Sequence, residues 1–241
     1  MDEEIGYMVR NGKVLAIIPA RGGSKRLPEK NLLNLAGKPL ISWTIEAAKE
    51  SKYIDKIVVS SDDEKILDVA ERYNVYVIKR PEELATDSAK TIDVVKHAIS
   101  ILEKNFQYVL LLQPTSPLRK SRQIDEAFEL LIKKDADAVI SVSPVDHPVQ
   151  WCNALPEDLS MKNFLNSEVM DKRSQDLPVY YRLNGAIYIA KTEKLIQQNS
   201  FFLKDNVFAY IMDRESSIDI DDWIDFRLAE VLIERGRVNE R

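Results

Sequence analysis

Residues 14–18 (Val14, Leu15, Ala16, Ile17, Ile18) and residues 108–112 (Tyr108, Val109 and Leu110 to Leu112) are apolar at every position. A strand with one wet face alternates apolar and polar residues, whereas a run without alternation is buried on both faces. Further strand patterns occupy 56–60, 75–78 and 138–142. Helical patterns lie between them. Residues 40–50 carry Ile41, Ile45 and Ala48 on one side, and 64–73 follow Asp62 or Asp63 as a cap. Residues 91–104 repeat Ile92, Val95, Ile99 and Leu102; residues 122–134, capped by Ser121, repeat Ile124, Ala127, Phe128 and Leu131. Such alternation predicts an α/β fold of three layers, with a mostly parallel, Rossmann-related sheet between helices. Ligands of such sheets bind at the carboxyl ends of the strands.

The pattern lapses over 144–179, which holds four prolines and scattered Trp151, Met161, Phe164, Leu165 and Met170. The segment is too apolar for a linker and too irregular for a core element, so it reads as an arm that buries its apolar groups elsewhere. Regular structure resumes over 185–189, and 223–233 reads as a closing helix with Phe226 and Val231 inward.

The strand at 14–18 breaks at Pro19 and empties into Arg21, Gly22, Gly23, Ser24, Lys25, Arg26 and Lys30. The whole chain carries a net charge of −5, so this cationic cluster is a local property. Glycines let backbone N–H groups approach an anion, and fixed Arg and Lys add charge-assisted hydrogen bonds to phosphate oxygens. Neither G-x-x-x-x-G-K-[ST] nor G-x-G-x-x-G occurs, so the loop is neither a P-loop nor a dinucleotide fingerprint. A polyphosphate is the simplest ligand.

Asp219 and Asp221 stand two apart, and in an extended segment they share a face while Ile220 points the other way. Two carboxylates beside a triphosphate make a Mg²⁺ site, and Mn²⁺ is expected to substitute. Asp222, just before Trp223, is left to cap the closing helix. His97 and His147 lack metal-ligand spacing and read as structural.

The run A-R-x-G-S-K-x-x-x-x-K-N, from Ala20 to Asn31, resembles the signature of cytidylyltransferases that activate sialic acid-like nonulosonic acids. Arg80-Pro81-Glu82-Glu83-Leu84-Ala85, Gln113-Pro114-Thr115-Ser116-Pro117-Leu118-Arg119, Asn184-Gly185-Ala186-Ile187-Tyr188-Ile189 and Asp219-Ile220-Asp221 follow in the family's order. The resemblance implies a nucleotide-diphospho-sugar transferase-like fold: one nucleotidyltransferase domain over 13–143 and 180–235, an inserted dimerisation arm at 144–179, and an extension at 1–12. It implies transfer of a cytidylyl group from CTP to a 2-keto sugar acid by a homodimer. Arg21 and Lys30 would be catalytic. Arg21, Gly23, Ser24, Lys30 and Asn31 would bind CTP, with Arg80, Ala89 and Thr91 around base and ribose; Lys25 and Arg26 would steer. Gln113 would face the acceptor, with Asn184, and Arg173 or Arg182 would take its carboxylate. Here the family's R-Q-x-L-P-like run reads Arg173-Ser174-Gln175-Asp176-Leu177-Pro178, which leaves the choice of arginine open. The same resemblance marks Asp219 and Asp221 as metal ligands.

The acidic balance argues against nucleic acid or anionic membrane as partner. Cys152 is the single cysteine, no apolar run approaches membrane-spanning length, and the first residues lack a signal pattern, so a reducing cytoplasm is expected. Rival readings are a 3-deoxy-manno-octulosonate cytidylyltransferase, a glycosyltransferase consuming a nucleotide-sugar, and a silent nucleotide-binding module. Which nonulosonic acid is the acceptor stays open.

Overall fold

The computed structural model describes residues 13–102 and 105–239. The expected extension 1–12 and the last two residues of the expected helix 91–104 lie outside them. β1 (Val14–Pro19) pairs in parallel with β4 (Lys56–Ser61) on one side and β6 (Tyr108–Leu111) on the other. β4 continues in parallel to β5 (Tyr76–Lys79). Beyond β6 the direction reverses: β8 (Tyr181–Lys191) runs antiparallel to both β6 and β7 (Ala138–Pro144), and β9 (Val207–Ile211) returns parallel to β7. The sheet order among the described residues is β5-β4-β1-β6-β8-β7-β9.

Strand alternation divides the core in two. Val14, Ala16 and Ile18 point to one face, against α1 (Leu40–Lys49), α2 (Glu64–Arg72) and α4 (Ser121–Lys133). Leu15 and Ile17 point to the other, against α3 (Thr91–Leu102) and α5 (Thr192–Gln198). The three layers follow from β1 being buried on both faces, each Leu or Ile contributing roughly 1.5–3 kcal/mol on burial. A third, smaller cluster lies at one end: Leu27, Leu35 and Leu40 pack on Ile220 and on Phe226, Ala229 and Ile233 of α6 (Trp223–Asn239). Leu35 belongs to the hairpin β2 (Asn34–Leu35) and β3 (Lys38–Pro39), too short for any periodic signal.

Two expectations are corrected and one open choice is decided. Val231 is 60% exposed; it lies five positions beyond Phe226, on the far side of α6, and Ala229 and Ile233 take the inward face. Ser121 is the first residue of α4 and no cap; the helix start is secured by Gln123, whose Oε1 accepts from Lys120 N at 2.9 Å. Of the two aspartates after β4, Asp63 caps α2, accepting from Lys65 N at 2.8 Å.

β7 and β8 pair regularly from Ala138 opposite Ala190 to Ile140 opposite Tyr188, then skip to Val142 opposite Leu183. The surplus residues on β8 bulge at Gly185, whose φ of 71° suits a residue without Cβ. Between β7 and β8 the segment 145–180 forms single 3-10 turns at Val149–Trp151 and Ser174–Asp176, and Leu155, Leu159, Met161 and Met170 are more than half exposed. Among the described residues no helix is long and apolar enough to cross a membrane.

Candidate active site

The cationic loop leaves the carboxyl end of β1, where Ala20 N still donates to Ser60 O at 3.0 Å. Gly22 N donates to Asp62 Oδ1 at 3.2 Å, and a Cβ on Gly22 would lie 2.6 Å from Asp63 Oδ2. Gly22 is thus the glycine on which the loop's course depends. Gly23, the expected phosphate contact, has open space around it. Asn31 is buried and donates from Nδ2 to Arg21 O at 3.0 Å, pinning the loop from behind, while its Oδ1 has no partner.

Carboxylates already meet the loop's cations. Arg21 Nη1 and Lys25 Nζ each lie 2.6 Å from Asp87, one on either oxygen. Hydrogen bonds from Lys25 and then Arg21 hold the Asp87 carboxyl below its ordinary range. Arg26 pairs with Asp221 at 3.3 Å. Lys30, only 12% exposed, donates to Ile220 O at 2.5 Å and lies 3.5 Å from Asp221 Oδ1. Its partners come from 190 residues further along the chain. Ile220 N is held in turn by Thr115 O at 2.8 Å.

Ile220 is fully buried in the small end cluster, with Asp219 and Asp221 on either side of it. Asp222 does cap α6, accepting from Ile224 N at 2.8 Å and Asp225 N at 3.2 Å. Burial raises the Asp219 carboxyl; a hydrogen bond from Thr115 works against this and the charge of Asp221 adds to it. A buried carboxyl crowded by a second carboxylate gains from a cation. Among the described residues no third His, Cys, Asp or Glu joins the pair. The donor set fits Mg²⁺, which one or two carboxylates hold together with substrate phosphates.

A cavity of about 310 Å³ opens beside these groups. Arg21, Ser24, Lys30 and Asn31 line one side, Arg80, Leu84, Thr86, Asp87, Ala89 and Thr91 a second, and Gln113, Pro114 and Thr115 a third. Arg80 is buried: its Nη2 lies 3.3 Å from Asp62 Oδ1, its Nε has no partner among the described residues, and burial lowers its pKa while Asp62 opposes the shift. A larger, open depression of about 620 Å³ lies near α5, between Lys194, Gln197 and Phe202, and contains none of the expected residues.

The acceptor-side expectations divide. Gln113 lines the cavity. Asn184 does not: it is 2% exposed, its Oδ1 accepts from Ser141 Oγ and Ala186 N, and its Nδ2 donates to Ser217 Oγ. Its amide braces β7, β8 and the 3-10 turn Glu215–Ser217, and both ends are committed. Arg173 is surface-exposed on Asp176, and Arg182 donates to Ser217 O at 3.3 Å; neither lines the cavity of this chain. Asp62, Asp87, Thr115 and Arg119 escaped the sequence reading as individual contributors. Thr115 and Arg119 lie within a recognised motif, but each works through a partner that only the fold supplies.

The sequence pattern of the family described as cytidylyltransferase matches residues 15–219. An N-acylneuraminate cytidylyltransferase of Escherichia coli is 43% identical over 218 residues, covering 90% of this chain and 51% of the relative. A CMP-N,N'-diacetyllegionaminic acid synthase of Legionella pneumophila is also 43% identical, covering 92% of this chain and 97% of the relative. The chain therefore spans about half the length of the first relative and nearly all of the second. Among solved structures, a CMP:2-keto-3-deoxy-manno-octonic acid synthetase complexed with CTP shares the fold, with a TM-score of 0.70 at 17% identity over 93% of this chain and 99% of that one. With five motifs in order, a cationic loop joined to a carboxylate pair through Lys30, and the family pattern matched over most of its length, the chain belongs to the cytidylyltransferase family.

Proposed function

We propose that this chain is a nucleotidyltransferase that converts CTP and a sialic acid-like nonulosonic acid to a CMP-sugar and pyrophosphate. One observation carries the reading: Lys30, which lines the cavity with the rest of the cationic loop, also touches Ile220 O and Asp221, so the loop and the aspartate pair meet at one residue. The names of the two 43%-identical relatives support the substrate class.

The anomeric hydroxyl oxygen of the acceptor bonds to the α-phosphorus of CTP, the bond to the β,γ-pyrophosphate breaks, and the hydroxyl proton is released. Positioning and charge neutralisation carry such a transfer. Arg21, Ser24 and Lys30 bind the triphosphate, with Lys30 nearest the transferring group; Arg80, Ala89 and Thr91 wall the nucleoside; Gln113 faces the acceptor. Asp219 and Asp221 would hold Mg²⁺, which supplies charge to phosphate oxygens when bound. Incoming phosphates replace Asp87 on Arg21 and Lys25.

The exposed Leu155, Leu159, Met161 and Met170 of the arm, together with Val179, Tyr180 and Leu183, form the apolar surface of a homodimer, the commonest closed assembly. Arg173 and Arg182 then serve the acceptor of the partner subunit or their own only in that assembly. The enzyme works in the cytoplasm, where CTP is made. A panel of N-acetylneuraminic, legionaminic, pseudaminic and 3-deoxy-manno-octulosonic acids with CTP and Mg²⁺, read by pyrophosphate release, tests the activity. Pyrophosphate with an eight-carbon acid alone favours the octulosonate reading, and none with any acid favours a silent module. Light scattering tests the dimer; an active monomer near 27.6 kDa refutes it.

A further inference from the structure

Arg119 is 2% exposed and meets no carboxylate among the described residues; burial alone lowers its guanidinium to about 9. A buried charge without a counter-ion is costly, so its hydrogen bonds must hold something that matters. Nη1 donates to Gln113 O at 3.1 Å and to Ala186 O at 2.8 Å. Thr44 Oγ1 donates to the same Gln113 carbonyl at 3.3 Å. Nε and Nη2 have no partner among the described residues. Gln113 stands where β6 opens into the cavity, and Ala186 follows Gly185 at the bulge of β8. The Gln113 side chain lies directly over Gly185: a Cβ there would sit 2.7 Å from Oε1. One nitrogen therefore joins the two backbones between which the Gln113 amide is held.

We infer that Arg119 is a positioning residue: by tying Gln113 O to Ala186 O it fixes the height of the Gln113 amide above Gly185, and so the seat of the sugar-acid acceptor. This rests on the reading of Gln113 as an acceptor contact. Arg119 itself does not line the cavity, so its effect is transmitted and falls on one substrate. The nucleoside wall and phosphate loop come from other segments.

The test is steady-state kinetics on the full chain with CTP and the acid that the panel identifies, alongside thermal melts. Arg119→Met should raise the acceptor KM at least about tenfold and lower kcat, since a displacement near 1 Å is worth up to about a hundredfold. The CTP KM should stay within about threefold. Arg119→Lys, which keeps a donor and the charge, should recover part of the loss. Gly185→Ala, whose Cβ would meet the Gln113 amide and whose φ of 71° also strains the bulge beside Ala186, keeps the Arg119 side chain and should give the same acceptor-selective pattern. In a Gln113→Ala background, Arg119→Lys should add nothing further, as expected of two residues acting as one unit. Should Arg119→Met not fold, Arg119→Lys and Gly185→Ala decide. An unchanged acceptor KM in both, or a parallel rise of both KM values with a fallen melting temperature, overturns the inference. If Gln113→Ala itself leaves acceptor kinetics unchanged, the reading of Gln113 fails, and the inference with it.

Discussion

Gly22→Ala tests the geometry of the phosphate loop most directly. The added Cβ would lie 2.6 Å from Asp63 Oδ2 and 2.8 Å from Asp63 Cβ, against the 3.4 Å at which ordinary contact begins, a shortfall of about 0.8 Å. Asp63 cannot simply swing aside, because it caps α2 through Lys65 N. Losing such a cap costs about 1 kcal/mol, which for a chain of this size is a fall of roughly 2–4 °C in Tm. The alternative is that the loop backs away, breaks the 3.2 Å contact of Gly22 N with Asp62 and carries Arg21 and Ser24 with it. Displacing catalytic groups by about 1 Å costs up to a hundredfold in rate. Steady-state kinetics in CTP with a thermal melt separates the two: lost turnover at unchanged Tm means the loop moved, and a lowered Tm with modest kinetic change means the cap gave way. Gly23→Ala, whose Cβ enters open space and whose N–H is kept, should change the CTP KM by less than about threefold. If Gly22→Ala matches the parent in both measurements, or Gly23→Ala does equal damage, the reasoning is refuted.

Lys30→Met should lower kcat about 10²–10³-fold, the usual loss for one fixed donor to developing charge; near-parental turnover removes Lys30 from the mechanism. Asp219→Asn with Asp221→Asn should abolish the Mg²⁺ dependence of pyrophosphate release, and a double variant that titrates with Mg²⁺ like the parent makes both aspartates structural. Asp87→Asn frees Arg21 and Lys25 for phosphate; calorimetry should show tighter CTP binding with a changed salt dependence, and weaker binding would mean that Asp87 organises the loop. Burial tends to raise the Asp213 carboxyl, but the backbone and hydroxyl of Ser216 outweigh it and hold the group below its ordinary value. A carboxyl depressed on folding stabilises the folded state above its unfolded value near pH 4, and that contribution is lost as pH falls through the folded value. Asp213→Asn should therefore flatten the acid limb of the stability curve, as read by urea melts between pH 3 and 6.

The parts of this molecule that could be read from sequence are those whose physics is local. β1 and β6 declare themselves because they are apolar without a break, and α4 because burial repeats along it with the helical period. Val207–Ile211 was not read although every residue in it is apolar; β9 is an edge strand whose residues are half-buried or exposed, so here an apolar run does not mark a buried element. Thr192–Gln198 buries Leu195 alone and shows no stripe. The cationic loop was legible because Arg21, Ser24, Lys25, Arg26 and Lys30 fall within ten residues. Asp87 and Asp62 were not, since each gains its meaning from a cation delivered by another segment. Asn184 shows the opposite case: it lies in a recognisable motif, but the fold commits its amide to Ser141 and Ser217 at the β7–β8 bulge, and it does not line the cavity.

The small end cluster has a consequence for how such a chain becomes an enzyme. Leu27 and Leu35, from the first strand's loop and its hairpin, are covered by Ile220, Phe226, Ala229 and Ile233, which are synthesised some two hundred residues later. During synthesis the parallel strands can pair and bury their shared core while Leu27 and Leu35 still face water. Long-range contacts of this kind form last, because the intervening chain must be ordered first. The stretch that covers them also carries Asp219, Asp221 and the carbonyl that receives Lys30. A chain interrupted before this stretch would keep its cationic loop but lack the two aspartates, so the loop and the carboxylates come together only in the step that seals the fold.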